Sequence, residues 1–296
     1  MRATRSKRKG MRKEYKLPKA ISFDDDNEVT QAFVEDNDYG FAAVYTGSSS
    51  HIGTRDYQED AFFVTEASST KGNQPIKAFG IVCDGMGGLE NGGKASILAT
   101  DLMKEVFESI QTPERIEALL LEEIRKIDLR VKKEVGKGGG FNAGTTLVAA
   151  MILGKQLYWI GVGDSRVYVL RGEEIVQVTQ DHNYEAQLRK SVEQGLISQK
   201  DADAHPQKAA LTSFVGSGNI RFINTNKAGL DLLNGDMVLL CSDGLTKSLD
   251  DENIAEIMRT NFGDMQEAAK QLTLQSFDSG DGAKDNTTVV LMQYLT

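Results

Sequence analysis

Acidic residues recur at the borders of apolar segments in this sequence. Three apolar segments end in an aspartate with glycine beside it, and two further acidic sites stand just before apolar segments. The first group is Asp84, Asp164 and Asp243, and the second is Glu59, Asp60 and Asp285. A single Asp-Gly pair usually marks only a turn. Repeated at several strand ends, the pattern places carboxylates at the rim of a sheet, where glycine lets the backbone approach a ligand closely.

These carboxylates would repel one another if the strand ends met in the folded protein, because burial raises the cost of placing like charges together. A hard divalent cation such as Mg²⁺ or Mn²⁺ would remove that cost, since both ions accept carboxylate, carbonyl and water oxygens. The chain has only three histidines and two cysteines. The sequence therefore suggests a metal site built mainly from oxygen ligands.

The elements that would position these residues follow from hydrophobic periodicity. Helices are predicted over residues 91–111, 113–135, 183–194, 251–260 and 264–276, and strands over 78–84, 145–153, 156–161, 166–170, 174–179, 237–243 and 287–295. The second helix is expected to have Thr112 as its N-cap and Pro113 at its first position. Short turns between strands imply antiparallel pairing, and helices grouped in blocks indicate an α+β fold and not a doubly wound one.

Composition fits a globular protein and divides the chain into two parts. Residues 1–38 change from basic to acidic and have few apolar residues, so we expect a disordered leader before one folded domain at 39–296. The first 19 residues hold nine Lys or Arg and one acidic residue, which leaves a formal charge of −17 on residues 20–296. Nucleic-acid binding by that acidic body is not expected. Nucleic acid, anionic lipid or an acidic partner stay open for the basic leader.

The compartment is indicated by the cysteines and by the hydropathy. Cys83 and Cys241 each fall at the end of an apolar run, which is typical of buried thiols in a reducing compartment, and we expect a cytoplasmic protein. Mean hydropathy is −0.34. No apolar run approaches the ~20 residues that span a bilayer, and no secretory signal follows the basic start.

Over residues 45–294 the chain resembles the PPM-type (type 2C) metal-dependent serine/threonine protein phosphatases. Its Asp84-Gly85-Met86-Gly87-Gly88 motif and its compact length are similar to those of bacterial members. Each motif is short, but all seven occur in the family's order. They are Arg55 with Glu59-Asp60, Asp84-Gly85-Met86-Gly87-Gly88, Gly144-Thr145-Thr146, Gly161-Val162-Gly163-Asp164-Ser165-Arg166, Thr179-Gln180-Asp181-His182, Ser242-Asp243-Gly244 and Asp285-Asn286. The resemblance implies a four-layer αββα sandwich, in which two antiparallel sheets are flanked by helices.

The resemblance also implies residue roles in hydrolysing phosphoserine and phosphothreonine by attack of a water that bridges two Mg²⁺ or Mn²⁺ ions. Asp84 would bridge the ions, Asp243 and Asp285 would complete the shell of one, and Glu59 with the Gly85 carbonyl would serve the other. Asp60 would hold metal-bound water by hydrogen bonds. Arg55 would grip the substrate phosphate, for which a guanidinium is the favoured fork. The implied substrates are proteins that a serine/threonine kinase has phosphorylated. For the oligomeric state, a monomer is the default expectation.

Three positions depart from the family pattern. Gln58 replaces an asparagine that bacterial relatives often carry, and Met86 stands where animal members have a histidine proposed as a general acid. Lys247 replaces an aspartate that many members carry near a third metal ion. A third ion at Asp164 and Asp243 stays open, because an ammonium beside it would compete electrostatically.

Two other functions stay open at this stage. One is a non-catalytic domain of the same fold that serves as a binding module, and the other is an enzyme that acts on a small phosphorylated metabolite. A thiol phosphatase is disfavoured, since neither cysteine has an arginine six residues on.

Several further segments have ordinary structural interpretations. His182 is expected to orient its turn. Residues 195–217 are predicted to form a flap over the active site, with a surface loop containing a short helix as the alternative. The glycine-rich residues 136–140 are predicted to be a flexible connection, since the spacing of a phosphate-binding loop is absent.

Overall fold

The computed structural model describes residues 42–70, 75–87, 90–135, 143–279, 282 and 284–296. The predicted leader at 1–38 and the predicted connection at 136–140 lie outside these residues. The strands are β1 (Ala43–His51), β2 (Asp60–Val64), β3 (Ser68–Ser69), β4 (Lys77–Met86), β5 (Gly144–Thr145), β6 (Leu147–Leu153), β7 (Gln156–Val162), β8 (Arg166–Arg171), β9 (Glu174–Gln177), β10 (Asn224–Thr225), β11 (Leu230–Asp231), β12 (Met237–Cys241) and β13 (Thr287–Leu295). The helices are α1 (Glu90–Ser109), α2 (Ile116–Val135), α3 (Tyr184–Glu193), α4 (Gln199–Asp203), α5 (Asp243–Thr246), α6 (Asp251–Thr260) and α7 (Met265–Asp278).

The strands form two antiparallel sheets. The first has the order β3-β1-β13-β12-β8-β9, and the second has the order β10-β7-β6-β4-β2, with β11 paired to β7 and β5 paired to β4. In the first sheet, β1 pairs with β13 over its whole length, from Ala43 opposite Leu295 to His51 opposite Thr287. Both ends of the domain are thereby joined in one sheet.

Three hydrophobic clusters separate four layers. Ala149 and Met151 of β6 pack towards α1 and α2, whereas Val148 and Ala150 of the same strand pack towards the other sheet. A third cluster lies between the first sheet and the helices α5, α6 and α7. Because the central strands are buried on both faces, they are continuously apolar, which is why they were readable in the sequence. The predicted α+β sandwich of the αββα type is confirmed.

Three of the outer helices begin after a polar residue whose side chain caps them. Asn183, Asp250 and Asp264 each accept a hydrogen bond from a backbone N–H of the first turn, at 2.9–3.0 Å, and so begin α3, α6 and α7. Within the described part of the chain, the helices include none with the length and apolar content needed to cross a membrane.

Two predicted boundaries were wrong, and several strands, of which β1 is the longest, were not among those predicted. The second helix begins at Ile116 and not at Pro113, because Arg115 adopts a left-handed φ of 59° that interrupts a helix. The strand predicted over 237–243 ends at Cys241, and Asp243 begins the short helix α5. β1 was missed because its serine-rich second half lacks apolar alternation, and its strand conformation depends on pairing with β13.

The segment predicted as a flap contains the short helix α4, and its ends are tied to the domain. Val215 pairs with Thr145 through two backbone hydrogen bonds of 2.9 Å, and Leu211 forms a bridge with Asn183. These contacts accord with a loop that contains a short helix. Movement of the segment over the site stays a prediction.

Candidate active site

The acidic residues come from neighbouring strand ends of both sheets. In the second sheet, Asp60 of β2 lies directly opposite Asp84 of β4, so their side chains share one face. In the first sheet, Asp243 follows β12 and Asp285 precedes β13, which are neighbouring antiparallel strands. Ser242 joins the two groups, because its hydroxyl donates to Asp60 Oδ2 at 2.8 Å.

Glu59 and Gly85 are held together by backbone contacts. The Gly85 N–H donates to the Glu59 carbonyl at 3.1 Å, and the Ser96 hydroxyl of α1 donates to the same oxygen at 2.5 Å. A Cβ on Gly92 would clash with the Glu59 carboxylate, and one on Gly85 would clash with the Gly92 carbonyl. The first turns of α1 can approach the end of β4 only because both positions are glycine.

Two threonines fix the backbone of Asp84. The Asp84 N–H donates to Thr146 Oγ1 and the Thr145 hydroxyl donates to the Asp84 carbonyl, both at 2.9 Å. A hydrogen bond of 2.6 Å joins Thr146 Oγ1 to the hydroxyl of Ser165. The Gly-Thr-Thr motif therefore orients the strand end that carries Asp84.

A pair of cations faces the carboxylates of the first sheet. Lys247 Nζ lies 2.6 Å from Asp243 Oδ2 and 3.0 Å from Asp285 Oδ2. Arg55 Nη2 also lies 3.0 Å from Asp285 Oδ2, and the Arg55 side chain is 58% exposed. Arg55 is thus accessible to a substrate while it rests against a site carboxylate.

The electrostatics of the site reflect burial and mutual repulsion. Burial raises the pKa of Asp60 to about 7 and that of Asp164 to about 6. Burial also raises the pKa of Asp84 well above its ordinary value, and the charges of Asp60, Asp243 and Asp164 raise it further. The Asp285 pKa is instead lowered, since the effects of Lys247 and Arg55 exceed that of burial. Without a cation among them, the buried carboxylates oppose one another's ionisation.

The residues present fit a divalent ion by their chemistry. Three buried carboxylate oxygens accept no hydrogen bond from any described residue: Glu59 Oε1, Asp60 Oδ1 and Asp243 Oδ1. Such atoms are costly unless a cation or water meets them. Among the described residues, no three acidic, histidine or cysteine side chains already surround one point as ligands would. The Lys247 ammonium instead bridges Asp243 and Asp285, so binding of an ion there requires that side chain to move.

Asp164 lies at the edge of this group. Its Oδ2 accepts a hydrogen bond of 3.1 Å from the Asn183 side chain, and its pKa is affected by the charge of Asp243. His182 beside it has the structural role that the sequence favoured, because its Nδ1 accepts from the Gly163 N–H at 3.2 Å. The backbone N–H of His182 donates in turn to the Gly163 carbonyl at 2.9 Å.

Two residues at the site were not predicted to have a role, Asn286 and Gly92. The Asn286 amide donates to the carbonyls of Ile52 and Tyr57 at 2.8 and 3.1 Å, and its Oδ1 accepts from the Glu59 N–H at 2.8 Å. Asn286 thereby joins the Arg55–Glu59 loop to the start of β13. The pair Gly92-Gly93 at the beginning of a predicted helix was the available signal for the close approach at Glu59.

Known proteins share this sequence pattern and fold. Residues 47–277 match the family described as protein phosphatase 2C. The chain is 32% identical over 243 residues to the serine/threonine phosphatase Stp of Listeria welshimeri, a match that covers 81% of this chain and 91% of the relative. The solved serine/threonine phosphatase of S. agalactiae has a TM-score of 0.71 at 27% identity, covering 84% of this chain and 98% of that one. The catalytic domain of the phosphatase PstP, solved with two manganese ions, has a TM-score of 0.67 at 27% identity, covering 86% and 100%.

An αββα sandwich with a carboxylate cluster at the ends of its two sheets defines the class of metal-dependent phosphoprotein phosphatases. This chain belongs to that class, and within it to the protein phosphatase 2C family, as the resemblance implied. It is a metal-dependent serine/threonine protein phosphatase.

Proposed function

We propose that two divalent ions, Mn²⁺ or Mg²⁺, bind between the strand ends of the two sheets. Asp84 would serve both ions, Asp243 and Asp285 would complete the shell of one, and Glu59 with the Gly85 carbonyl would serve the other. The observation that carries this proposal is the set of three buried carboxylate oxygens without hydrogen-bond donors, at Glu59, Asp60 and Asp243, on strand ends that Ser242 joins. The PstP relative with two manganese ions supports the number of ions.

When bound, the ions supply a nucleophilic water of lowered pKa and neutralise charge on the phosphoryl group. The chain's own residues position the reactants. Asp60, held through Oδ2 by Ser242, keeps Oδ1 free to accept a hydrogen bond from the attacking water. Arg55 exchanges Asp285 for the substrate phosphate, and its exposed guanidinium can bind two phosphate oxygens at once.

We infer two ions and not three from the position of Lys247. Even when its side chain moves aside for the two ions, an ammonium four residues after Asp243 adds positive charge beside the carboxylate that a third ion at Asp164 would have to share. Asp164 instead has the Asn183 amide as a hydrogen-bond partner. The role of Asp164 is therefore to orient the loop at the edge of the site.

The substrates we propose are proteins phosphorylated by a serine/threonine kinase, and the location we propose is the cytoplasm. Cys83 and Cys241 support a reducing compartment, since both are buried and unpaired and burial raises the pKa of each thiol to about 12. A monomer is the state we propose, and a leader at 1–38 followed by one domain at 39–296 is the organisation.

Hydrolysis of p-nitrophenyl phosphate with Mn²⁺, with Mg²⁺ and with excess EDTA tests the metal assignment. We expect turnover only with a metal ion. We expect Asp84→Asn and Asp243→Asn to reduce it by more than about 100-fold, the upper range for losing an outer-shell partner, since both are proposed ligands. Asp101→Asn, on the exposed face of α1, is the matched control.

Wild-type turnover by either ligand variant, with folding checked by circular dichroism, would overturn the assignment. A panel of phosphopeptides and phosphorylated metabolites then separates a protein phosphatase from an enzyme of small metabolites. Preference for the peptides is the expected result.

A further inference from the structure

A polar groove of about 560 Å³ opens beside the active site, between helix α3 and the segment 221–225. We call it the Phe222 groove, after the aromatic ring in its wall. We propose that this groove binds an acidic residue of the phosphoprotein substrate, located near the phosphoserine or phosphothreonine in sequence. The proposal rests on the proposed function and adds a substrate class to it.

The groove is joined to the active site through one residue. Asn183 lines the groove, and its side-chain amide donates to Asp164 at 3.1 Å. Asp164 interacts electrostatically with Asp243, a proposed metal ligand. The groove therefore adjoins residues at the edge of the proposed metal site, which is where a substrate chain bound there would be expected to continue.

The charge of the groove is positive although the protein is acidic. Lys190 of α3 and Arg221 lie on opposite walls, both exposed, and neither forms an ion pair with any residue that the structure describes. The Asp181 carboxylate in the same groove is neutralised by Arg166, which donates to it twice at 2.9 and 2.7 Å. His182 adds no charge near pH 7, because burial lowers its pKa to about 4. Two unpaired cations remain, and they favour an anionic partner.

One wall of the groove is built before any substrate binds. The Asn224 side chain exchanges hydrogen bonds of 2.8 and 3.0 Å with the backbone of Gln180. Phe222 is 43% exposed, and its ring centroid lies 5.7 Å from the Arg221 guanidinium and 5.8 Å from the centroid of the His182 ring. A wall that is already ordered loses little conformational freedom when it binds a ligand. The exposed ring offers an apolar surface for the carbon atoms of the bound side chain.

The occupant that these features favour is a short acidic segment of a protein. The formal charge of −17 on residues 20–296 would repel an extended polyanion such as nucleic acid. A single Glu or Asp beside the phosphorylated residue meets only the local pair of cations. The groove thus discriminates among phosphoproteins by the charge near the modified residue.

A peptide series tests this proposal. Phosphothreonine peptides carry one glutamate at each position within about six residues of the phosphothreonine, a reach of about 20 Å for an extended chain, and each has a glutamine counterpart. We expect glutamate at one or two positions to raise kcat/KM by about threefold to tenfold, and the gain to shrink as salt is raised to about 0.5 M. We expect Lys190→Glu and Arg221→Glu each to abolish or reverse this preference, measured as the ratio of kcat/KM for the glutamate peptide to kcat/KM for its glutamine counterpart.

Arg189→Glu is the matched control, because Arg189 is the exposed neighbour of Lys190 on α3 but does not line the groove. Equal kcat/KM for every glutamate–glutamine pair in the wild type would overturn the proposal. The proposal would also be overturned if Arg189→Glu lost the preference for glutamate peptides as fully as Lys190→Glu and Arg221→Glu.

Binding of a fluorescent, non-hydrolysable phosphonate form of the preferred peptide, followed by anisotropy, separates this proposal from the catalytic one. Loss of preferential binding in Arg221→Glu supports the groove even if turnover fails for another reason. Absence of turnover with preferential binding intact would count against the metal assignment only, and absence of preferential binding would refute the groove.

Discussion

At the scale of single residues, the position of Lys247 distinguishes this site from the family pattern. Its ammonium contacts Asp243 and Asp285 at 2.6 and 3.0 Å, so it neutralises the two carboxylates that are proposed to complete one metal shell. The charges of the same carboxylates raise the pKa of Lys247, and the side chain remains protonated at neutral pH. A metal ion at this position must therefore compete with a cation that belongs to the protein.

Removing the charge of Lys247 is expected to strengthen metal binding. We expect Lys247→Gln to lower the Kd for Mn²⁺ by about tenfold, because the carboxylates lose a competing charge at contact distance in a partly exposed site. Isothermal titration with Mn²⁺ measures this directly, without reference to turnover.

Lys270→Gln, exposed on α7, is the control for removing a positive charge elsewhere. Lys247→Asp is expected to raise the stoichiometry from two ions to three, since it adds a carboxylate beside Asp243. An unchanged Kd in Lys247→Gln would show that the ammonium does not compete with the ion.

At the scale of elements, helix α2 supports the active site through a buried carboxylate. Asp128 is 3% exposed, and its Oδ1 accepts from the N–H groups of Gly216 and Gly218 at 2.7 and 3.0 Å. Gly216 and Gly218 have φ values of 102° and 79°, a conformation that glycine adopts without strain. The turn they form follows Val215, which pairs with Thr145, and Thr145 holds the backbone of Asp84.

Loss of the Asp128 carboxylate is expected to weaken this connection. We expect Asp128→Ala to lower the free energy of unfolding by about 2–3 kcal/mol, because one buried and one partly buried N–H group lose their carboxylate acceptor. Urea denaturation measures the loss. Asp128→Asn, which keeps one acceptor oxygen, should lose less, and Asp101→Ala on the exposed face of α1 should lose little. Equal stability of Asp128→Ala and the wild type would contradict this account.

At the scale of the whole molecule, the αββα sandwich gathers carboxylates from strands that are distant in sequence. Asp60 and Asp243 are 183 positions apart, yet Ser242 joins the two sheets by donating to Asp60 at 2.8 Å. Ionised carboxylates at such a junction destabilise the metal-free fold, and they stabilise the fold when a cation binds to them. Stability should therefore depend on pH in opposite directions with and without metal.

The metal-free protein is expected to lose stability as the pH rises. Burial raises the pKa values of Asp60 and Asp164 to about 7 and about 6, above the ordinary 3.8, so the folded state binds more protons than the unfolded state between about pH 4 and 7. The stabilisation is complete below pH 3.8 and is lost as the pH passes these raised values. His182 opposes this trend, since its lowered pKa favours the folded state at higher pH. The effect of this one histidine is smaller than the combined effect of the carboxylates.

We expect EDTA-treated protein to be about 1–3 kcal/mol less stable at pH 7.5 than at pH 5.5. With saturating Mn²⁺ we expect the reverse order, because ligation requires ionised carboxylates. Guanidinium denaturation at both pH values, with and without the ion, gives the comparison. Greater stability of the EDTA-treated protein at pH 7.5 would show that the carboxylates are not repelling one another.

The sequence by itself determined the class of fold, and it located the acidic residues that lie at strand ends in the folded chain. Buried central strands such as β6 and β13 are continuously apolar, and capped helices such as α6 carry their own start signals, so both could be read locally. The motifs around Asp84 and Asp243 could be recognised for the same reason, because glycine and aspartate at the end of an apolar run form a local pattern.

Only the tertiary structure decided what depends on contacts between distant segments. The strand β1 owes its conformation to β13, more than 230 positions away, and its serine-rich sequence carries little strand signal of its own. No local pattern relates Lys247 to Asp285, which its ammonium contacts together with Asp243. The same holds for the two sides of the Phe222 groove, α3 and residues 221–225. Hydrophobic periodicity and capping act over a few residues, whereas ion pairs and grooves depend on how the layers pack.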